Sequence, residues 1–235
     1  MVKSVASVAF VSCLAVSAFV ASPSKAQDGR WTGGYAGAHL GYAWGDADVR
    51  DTNGGVLPGP FSYDPRGAFG GATFGYNWRM QGLVLGVEAD LGYMDLSGAG
   101  IIPSSNPAAH QDITLDGGFY ADATLRGGFL VMPSTLVYAK GGFAFYNGEA
   151  RQKTTNPGYV TTGTDPFNGF VVGGGVEHFI APSVSLKIEY LHFDFGSQDG
   201  FQTNVGDPSS PSGYKFENKT DVTADTVKVG VAWHF

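Results

Sequence analysis

The chain has 235 residues, among them 36 glycines and a single cysteine, and its formal net charge is −7. The length suits one domain or two small ones, and a hydrophobic content of 43% excludes a disordered chain. The excess of acidic residues disfavours contacts with a phosphate backbone, so we expect no nucleic-acid partner.

Residues 1–26 have the pattern of a secretory signal peptide. Lys3 supplies the positive charge, residues 5–20 are small and apolar, and Ser24 and Ala26 stand at positions −3 and −1 of a cleavage site before Gln27. Cleavage there removes Cys13. We therefore expect the exported part, 27–235, to fold as one domain without a disulfide.

The exported part alternates apolar and polar residues with a period of two. In residues 83–94 every odd position is apolar, whereas Glu88 and Asp90 stand in the even row, and the same pattern recurs around Lys228. Alternation of this kind predicts strands with one face in lipid and the other among polar groups. The eight predicted strands are 34–45, 67–78, 83–96, 118–131, 136–146, 169–180, 184–195 and 223–235.

The connections between these strands alternate in length. Short turns are predicted at 79–82, 132–135 and 181–183, and long polar loops at 46–66, 97–117, 147–168 and 196–222. No proline lies in a predicted strand. The strands are long enough to cross a bilayer at a tilt, so the sequence predicts an all-β fold, an eight-stranded antiparallel up-and-down transmembrane β-barrel.

The row that we assign to the barrel interior carries many charges. An eight-stranded barrel is just wide enough for its side chains to fill, and buried charges persist only when they are paired. We expect a salt-bridged interior, with a narrow proton or ion path, or a carboxylate pair for acid–base chemistry, as the alternatives. The interior set is His39, Glu88, Asp90, Asp122, Arg126, Lys140, Glu177, Lys187, Glu189 and Lys228.

The sequence predicts no catalytic residue, metal site or cofactor. The five histidines, at positions 39, 110, 178, 192 and 234, do not have the spacing of a metal site, and none precedes a serine by two positions as in a lipid-modifying hydrolase.

Aromatic residues fall near both ends of the predicted strands, as in the two aromatic belts of a membrane barrel. The belt at the long loops is predicted to contain Tyr42, Trp44, Tyr93, Phe145, Phe193 and Phe195. The belt at the short turns is predicted to contain Trp31, Tyr35, Trp78, Phe129, Phe179, Trp233 and Phe235.

Three segments resemble the small outer-membrane barrels of alphaproteobacteria, a surface-antigen and porin-like group related to the membrane domain of OmpA. Residues 31–45 resemble the first strand of that family, residues 186–191 its penultimate strand and residues 229–235 its closing strand. The terminal phenylalanine with apolar residues at alternate positions resembles the signal that the barrel-assembly machinery reads. That signal comprises Val227, Val229, Val231, Trp233 and Phe235.

The resemblance implies a non-catalytic surface antigen of the cell outer membrane that supports envelope integrity. Its expected partners are outer-membrane lipid and lipopolysaccharide, the assembly machinery, and host or other ligands that contact the long loops. The alternatives are a narrow porin-like channel, haemin binding through His110, Tyr159 or Tyr214, a lipid-modifying enzyme, and a soluble barrel that binds a ligand inside.

Overall fold

The computed structural model describes residues 29–51, 61–102, 111–154, 159–161, 166–204 and 215–235. The predicted signal peptide, residues 1–26, lies outside these ranges. No helix within them is long and apolar enough to cross a membrane. The strands in the described ranges are β1 (Gly33–Asp51), β2 (Phe61–Tyr63), β3 (Arg66–Met80), β4 (Leu83–Met94), β5 (Gly98–Ile102), β6 (Gln111–Met132), β7 (Thr135–Thr154), β8 (Tyr159–Thr161), β9 (Phe167–Ala181), β10 (Val184–Asn204) and β11 (Lys215–His234).

Eight long strands form one closed antiparallel barrel. Their order around the barrel is β1, β3, β4, β6, β7, β9, β10 and β11, and β11 pairs back with β1. Two-residue turns join β3 to β4, β6 to β7 and β9 to β10, all at one end of the barrel. Strands that are neighbours in the chain are neighbours in the sheet, so the predicted up-and-down fold is confirmed.

The strands are longer than predicted at the opposite, long-loop end. β1 continues to Asp51, β6 begins at Gln111, β7 continues to Thr154 and β10 continues to Asn204, all inside segments that the sequence assigned to loops. The short strands β2, β5 and β8 add to the sheet at this end. Backbone pairing here continues beyond the region where one face meets lipid. In β1 the outward row therefore turns from apolar to polar at Asp46, while the hydrogen-bonded ladder persists.

The outer face of the barrel carries an uncharged band. On β1 the outward-facing positions from Gly34 to Trp44 are uncharged, and the next outward position is Asp46. Ten residues span ~33 Å along a strand, or ~25 Å of height at a tilt of ~40°, which is the apolar height of a transmembrane barrel. Large apolar side chains protrude from this band, among them Leu40, which is 75% exposed, and Phe143, which is 80% exposed.

The barrel interior is built in three layers. At the short turns a first apolar cluster, the short-turn cluster, contains Trp31, Val84, Leu136, Tyr138 and Phe179. At the other end a larger one, the long-loop cluster, contains Ala43, Ala47, Val49, Tyr63, Phe69, Met94, Leu96, Tyr120, Ala144, Tyr146, Phe167, Val171, Leu191, Phe193, Phe195, Val222 and Ala224. The buried charges lie between the two clusters. Strand β4 shows this order, because its inward positions run from Val84 through Glu88 and Asp90 to Met94.

Five of the thirteen predicted belt residues face the interior instead of lipid, so the predicted membership of the two belts is wrong in part. Trp31, Tyr35, Phe179, Phe193 and Phe195 are each 5% exposed or less, and four of them belong to the two apolar clusters. The physical reason is that side chains along a strand alternate between the two faces of the sheet. Phe193 and Phe195 stand an even number of residues from the interior Glu189, so the same strand carries them to the same face.

The position of Leu40 offers a direct test of which face meets lipid. We expect Leu40→Arg to lower the free energy of unfolding in bilayers by about 2–4 kcal/mol, because the cation lies at the middle of the uncharged band. Thr223→Arg, on an outward position near the band's edge, serves as the control and is expected to cost about 0–1 kcal/mol. Urea titration of protein refolded in lipid vesicles measures both. Equal effects at the two positions would contradict the placement of the band.

Candidate functional site

The structure places all ten predicted interior residues in the barrel lumen, each 5% exposed or less. They come from seven strands, β1, β4, β6, β7, β9, β10 and β11. Alternation brings each charge to the inner face, and closure of the barrel brings charges from distant parts of the chain together. This buried charge layer is the candidate functional site.

Three carboxylates and three ammonium groups form the centre of the charge layer. The Nζ atom of Lys140 lies 2.6 Å from Oε1 of Glu88, 3.1 Å from Oδ2 of Asp90 and 3.5 Å from Oε1 of Glu189. Lys228 Nζ bridges Asp90 at 2.5 Å and Glu189 at 2.7 Å. Lys187 is paired with Glu88 and lies 3.8 Å from Glu189. Each carboxylate therefore faces at least two cations, which offsets the cost of removing it from water.

Arg126 extends the charge layer toward the short turns. Its Nη1 donates to Glu88 Oε2 at 3.1 Å, and its Nη2 donates to Glu177 Oε2 at 2.6 Å. The other oxygen of Glu177 accepts a hydrogen bond from Ser185 Oγ at 2.6 Å and lies 2.9 Å from His234 Nε2. One guanidinium thus joins two carboxylates that lie on different sides of the barrel.

His39 extends the charge layer toward the long-loop cluster. Its Nδ1 is 2.9 Å from Thr73 Oγ1, and its Nε2 is hydrogen-bonded to the hydroxyl of Tyr120. Thr73 in turn donates to Asp90. His39 therefore connects the central carboxylates to an aromatic residue of the long-loop cluster.

Sequence reasoning missed the uncharged partners of the charge layer. The hydroxyls of Tyr35 and Tyr138 donate to Glu88 and Glu189, each at 2.6 Å, and the Arg126 guanidinium lies over the two rings at 5.2 Å and 4.5 Å. The alternation of side chains along a strand could have identified these two tyrosines from the sequence. Tyr35 is four residues from His39 and Tyr138 is two from Lys140, so both share the inner row with a charge.

Asp122 lacks the partners that the other carboxylates have. Both of its carboxylate oxygens are buried without a hydrogen-bond partner among the described residues. The residue directly opposite it on β4 is Asp90, and like charges at opposed positions of a sheet destabilise it. The sequence predicted Asp122 as an interior charge, and the structure shows that it lies outside the ion-paired set.

The arrangement does not fit a metal ion. Donor oxygens of Glu88, Asp90 and Glu189 lie within 4.8 Å of one another. Lys140 and Lys228 already stand among these oxygens and supply the positive charge that an ion would bring. The cavity beside this group has a volume of about 10 Å³, which is close to the space that one water molecule requires.

A second polar group lies on the outer face, near the edge of the uncharged band. His192 Nδ1 is 2.9 Å from Asp225 Oδ1, and the Tyr190 hydroxyl donates to the same oxygen at 2.7 Å. A histidine beside a carboxylate supplies two of the three members of a hydrolytic triad. Among the residues that the structure describes, no serine, threonine or cysteine side chain is hydrogen-bonded to His192, so the group lacks a nucleophile.

Other predicted residues lie on the outer face or beyond the described side chains. The proposed assembly signal, Val227, Val229, Val231, Trp233 and Phe235, forms one outward row whose members are 42–56% exposed. His110 and Tyr214, which are haemin candidates, lie outside the described residues, and the side chain of Tyr159 is not described either.

The long-loop cluster closes the interior at the long-loop end and extends beyond the uncharged band. Tyr63, on β2, is 6% exposed, and burial raises the pKa of its hydroxyl to about 12. The hydroxyl therefore stays protonated across the physiological range, and no charge interrupts the apolar cluster at this position.

Two aspartates at opposed positions make a matched pair for mutagenesis. We expect Asp90→Asn to lower the free energy of unfolding by about 3–5 kcal/mol, because it leaves Lys140 and Lys228 short of negative charge. We expect Asp122→Asn to leave it unchanged or to raise it by up to about 1 kcal/mol, because a repulsion is removed and no ion pair is lost. Urea unfolding in vesicles measures both changes. Similar losses in the two variants would contradict the assignment of partners.

Comparisons with known proteins support the conclusion that this barrel spans a membrane. Residues 8–235 match the family model described as outer membrane protein beta-barrel domain. The 31 kDa outer-membrane immunogenic protein of Brucella melitensis biotype 1 is 27% identical over all of this chain and 98% of that protein. The 22 kDa outer membrane protein of Rhizobium leguminosarum bv. viciae is 29% identical over 73% of this chain and 67% of that protein.

Among solved structures, the outer membrane protein OprG from Pseudomonas aeruginosa is similar, with a TM-score of 0.49 and 12% identity over 87% of this chain and 97% of that chain. The match to the family model covers nearly the whole length, and the full-length relative carries an outer-membrane name. The chain therefore belongs to the outer membrane protein β-barrel domain family and is an integral protein of the cell outer membrane.

Proposed function

We propose that this protein is a closed, non-catalytic barrel that contributes to envelope integrity and presents its long connections at the cell surface as a surface antigen. The observation that carries the proposal is the filled interior, in which an ion-paired layer lies between two apolar clusters. A channel requires a continuous polar path through the barrel. In this protein, buried aromatic rings occupy both ends of the interior. Trp31 and Phe179 stand at one end, and Tyr146 and Phe195 at the other.

The interior also supports the non-catalytic part of the proposal. An acid–base pair needs a reactive group that can reach a substrate, whereas the central carboxylates and lysines are held by one another inside the wall. The polar group at His192 lies where a lipid substrate has access, but it lacks a nucleophile among the described residues.

The surface-antigen part of the proposal draws support from the relatives and from the barrel's orientation. Several relatives are named outer-membrane immunogenic proteins. In outer-membrane barrels the short turns face the periplasm and the long connections face outward. The outward row that ends at Phe235 remains our candidate for recognition by the assembly machinery, and the uncharged band for contact with lipid and lipopolysaccharide.

Conductance tests the closed interior. Protein refolded in detergent is first shown to be folded by a gel with and without boiling, and the folded form is then added to planar bilayers. We expect no steady single-channel current, because buried aromatic rings close both ends of the interior and the cavity beside the charge layer has a volume of only about 10 Å³. An open porin in the same bilayers is the positive control. A steady current from the folded form would contradict the closed barrel and favour the narrow channel.

Accessibility in intact cells tests the surface presentation. A short epitope tag inserted within 52–60, between β1 and β2, is expected to bind antibody on intact cells. The same tag at the turn Pro133–Ser134 is the matched control and is expected to bind only after the outer membrane is permeabilised. Binding of both tags, or of the turn tag alone, on intact cells would contradict the orientation.

A further inference from the structure

The lipid-facing wall is uneven on one side of the barrel. Strands β3, β4, β6 and β7 form a groove of about 600 Å³ on the outer face. Its floor consists of the small residues Ala89, Ala123 and Gly141, and its sides include the protruding Leu125 and Phe143, which are 71% and 80% exposed. The volume lies within the range of ~300–1,000 Å³ that is usual for ligand sites.

The strand register shows how the groove arises. Phe74, Ala89, Ala123 and Phe143 are direct partners across β3, β4, β6 and β7, so that two large rings flank two alanines.

On the opposite wall, the corresponding row of four paired residues contains no small side chain. Val176, Ile188, Val229 and Leu40 are direct partners across β9, β10, β11 and β1, and all four are large. An alanine side chain is a single methyl group, so the two alanines leave a depression between the flanking rings of Phe74 and Phe143.

The position of the groove determines which kind of molecule reaches it. Phe74 is near the middle of β3, between the polar Arg66 at the long-loop end and Gln81 in the short turn, so the groove lies in the hydrocarbon part of the bilayer. The side chains of Glu88 and Thr124, which border it through their backbone, face the interior. An acyl chain therefore matches the lining better than a polar ligand does. Within the bilayer, van der Waals packing between the chain and the groove is the interaction that would stabilise binding.

One end of the groove is polar. Tyr76, which lines the groove on the side of the short turns, packs its ring against Trp78 at a centroid distance of 4.8 Å, and the two rings are 41% and 47% exposed. Tyrosine and tryptophan favour the level of the lipid headgroups. The short turns face the periplasm in this family of folds, so the polar end points to the periplasmic leaflet.

We propose that the groove binds one acyl chain of a phospholipid from the periplasmic leaflet. The headgroup lies at the level of Tyr76 and Trp78, and the chain runs over Ala89 and Ala123 between Phe74 and Phe143. The protein thus holds a specific phospholipid at this face in addition to the exchanging lipid around the rest of the barrel.

The test is lipid retention by the refolded full-length protein. The protein is reconstituted with a mixture of phosphatidylethanolamine, phosphatidylglycerol and lipopolysaccharide, extracted into detergent, and examined by native mass spectrometry. We expect one retained phospholipid per barrel. Ala123→Leu fills the floor of the groove and is expected to lower retention roughly fivefold or more, because the larger side chain occupies the space of the acyl chain.

Ala38→Leu on β1 is the matched control, because Ala38 is another outward-facing alanine within the uncharged band and lies outside the groove. It is expected to retain lipid as the unmodified protein does, and the boiling-dependent gel shift reports whether both variants are folded. Three results would overturn the proposal: equal retention in Ala123→Leu and Ala38→Leu, retention of lipopolysaccharide in place of phospholipid, or cross-linking through this face to a second copy of the chain.

Discussion

The structure depends on one constraint, namely that charged side chains inside a barrel as narrow as this must satisfy one another. No layer of water separates the inner face of an eight-stranded wall from its centre. Lys140, Lys187 and Lys228 therefore lie against Glu88, Asp90 and Glu189, and Arg126 completes the layer through Glu177. Apolar side chains of similar size often give equal or greater stability than buried ion pairs, so stability alone does not account for the charges.

The charge layer has a second consequence, which is that it fixes the strand register. Side chains alternate between the two faces, so a slip of one residue in β4 or β10 moves two charges of that strand from the lumen into lipid. A lysine or arginine on the lipid face at the middle of the bilayer costs about 2–4 kcal/mol, and a carboxylate costs less. The outward row of apolar residues and the inward row of charges thus specify the same register from opposite faces, and the two apolar clusters then close the ends.

Much of this architecture could be predicted from sequence, because alternation and proline placement are local signals. Alternation identified eight strands, and the interior residues from His39 to Lys228 follow from parity alone. The extension of β6 back to Gln111 could not be seen, because pairing continues there without a lipid-facing row. Which lysine meets which carboxylate, the isolation of Asp122 and the groove over Ala123 depend on the relative register of distant strands, which composition does not encode.

The most direct test of the sealed interior is amine labelling of the folded protein in vesicles with a small membrane-permeant reagent, read by mass spectrometry. Lys219, on the exposed part of β11, is the internal reference. We expect Lys219 to react while Lys140, Lys187 and Lys228 stay unmodified until the protein is unfolded. Labelling of Lys140 in the folded barrel at the rate of Lys219 would show that water and solutes enter the lumen, and it would contradict the central claim.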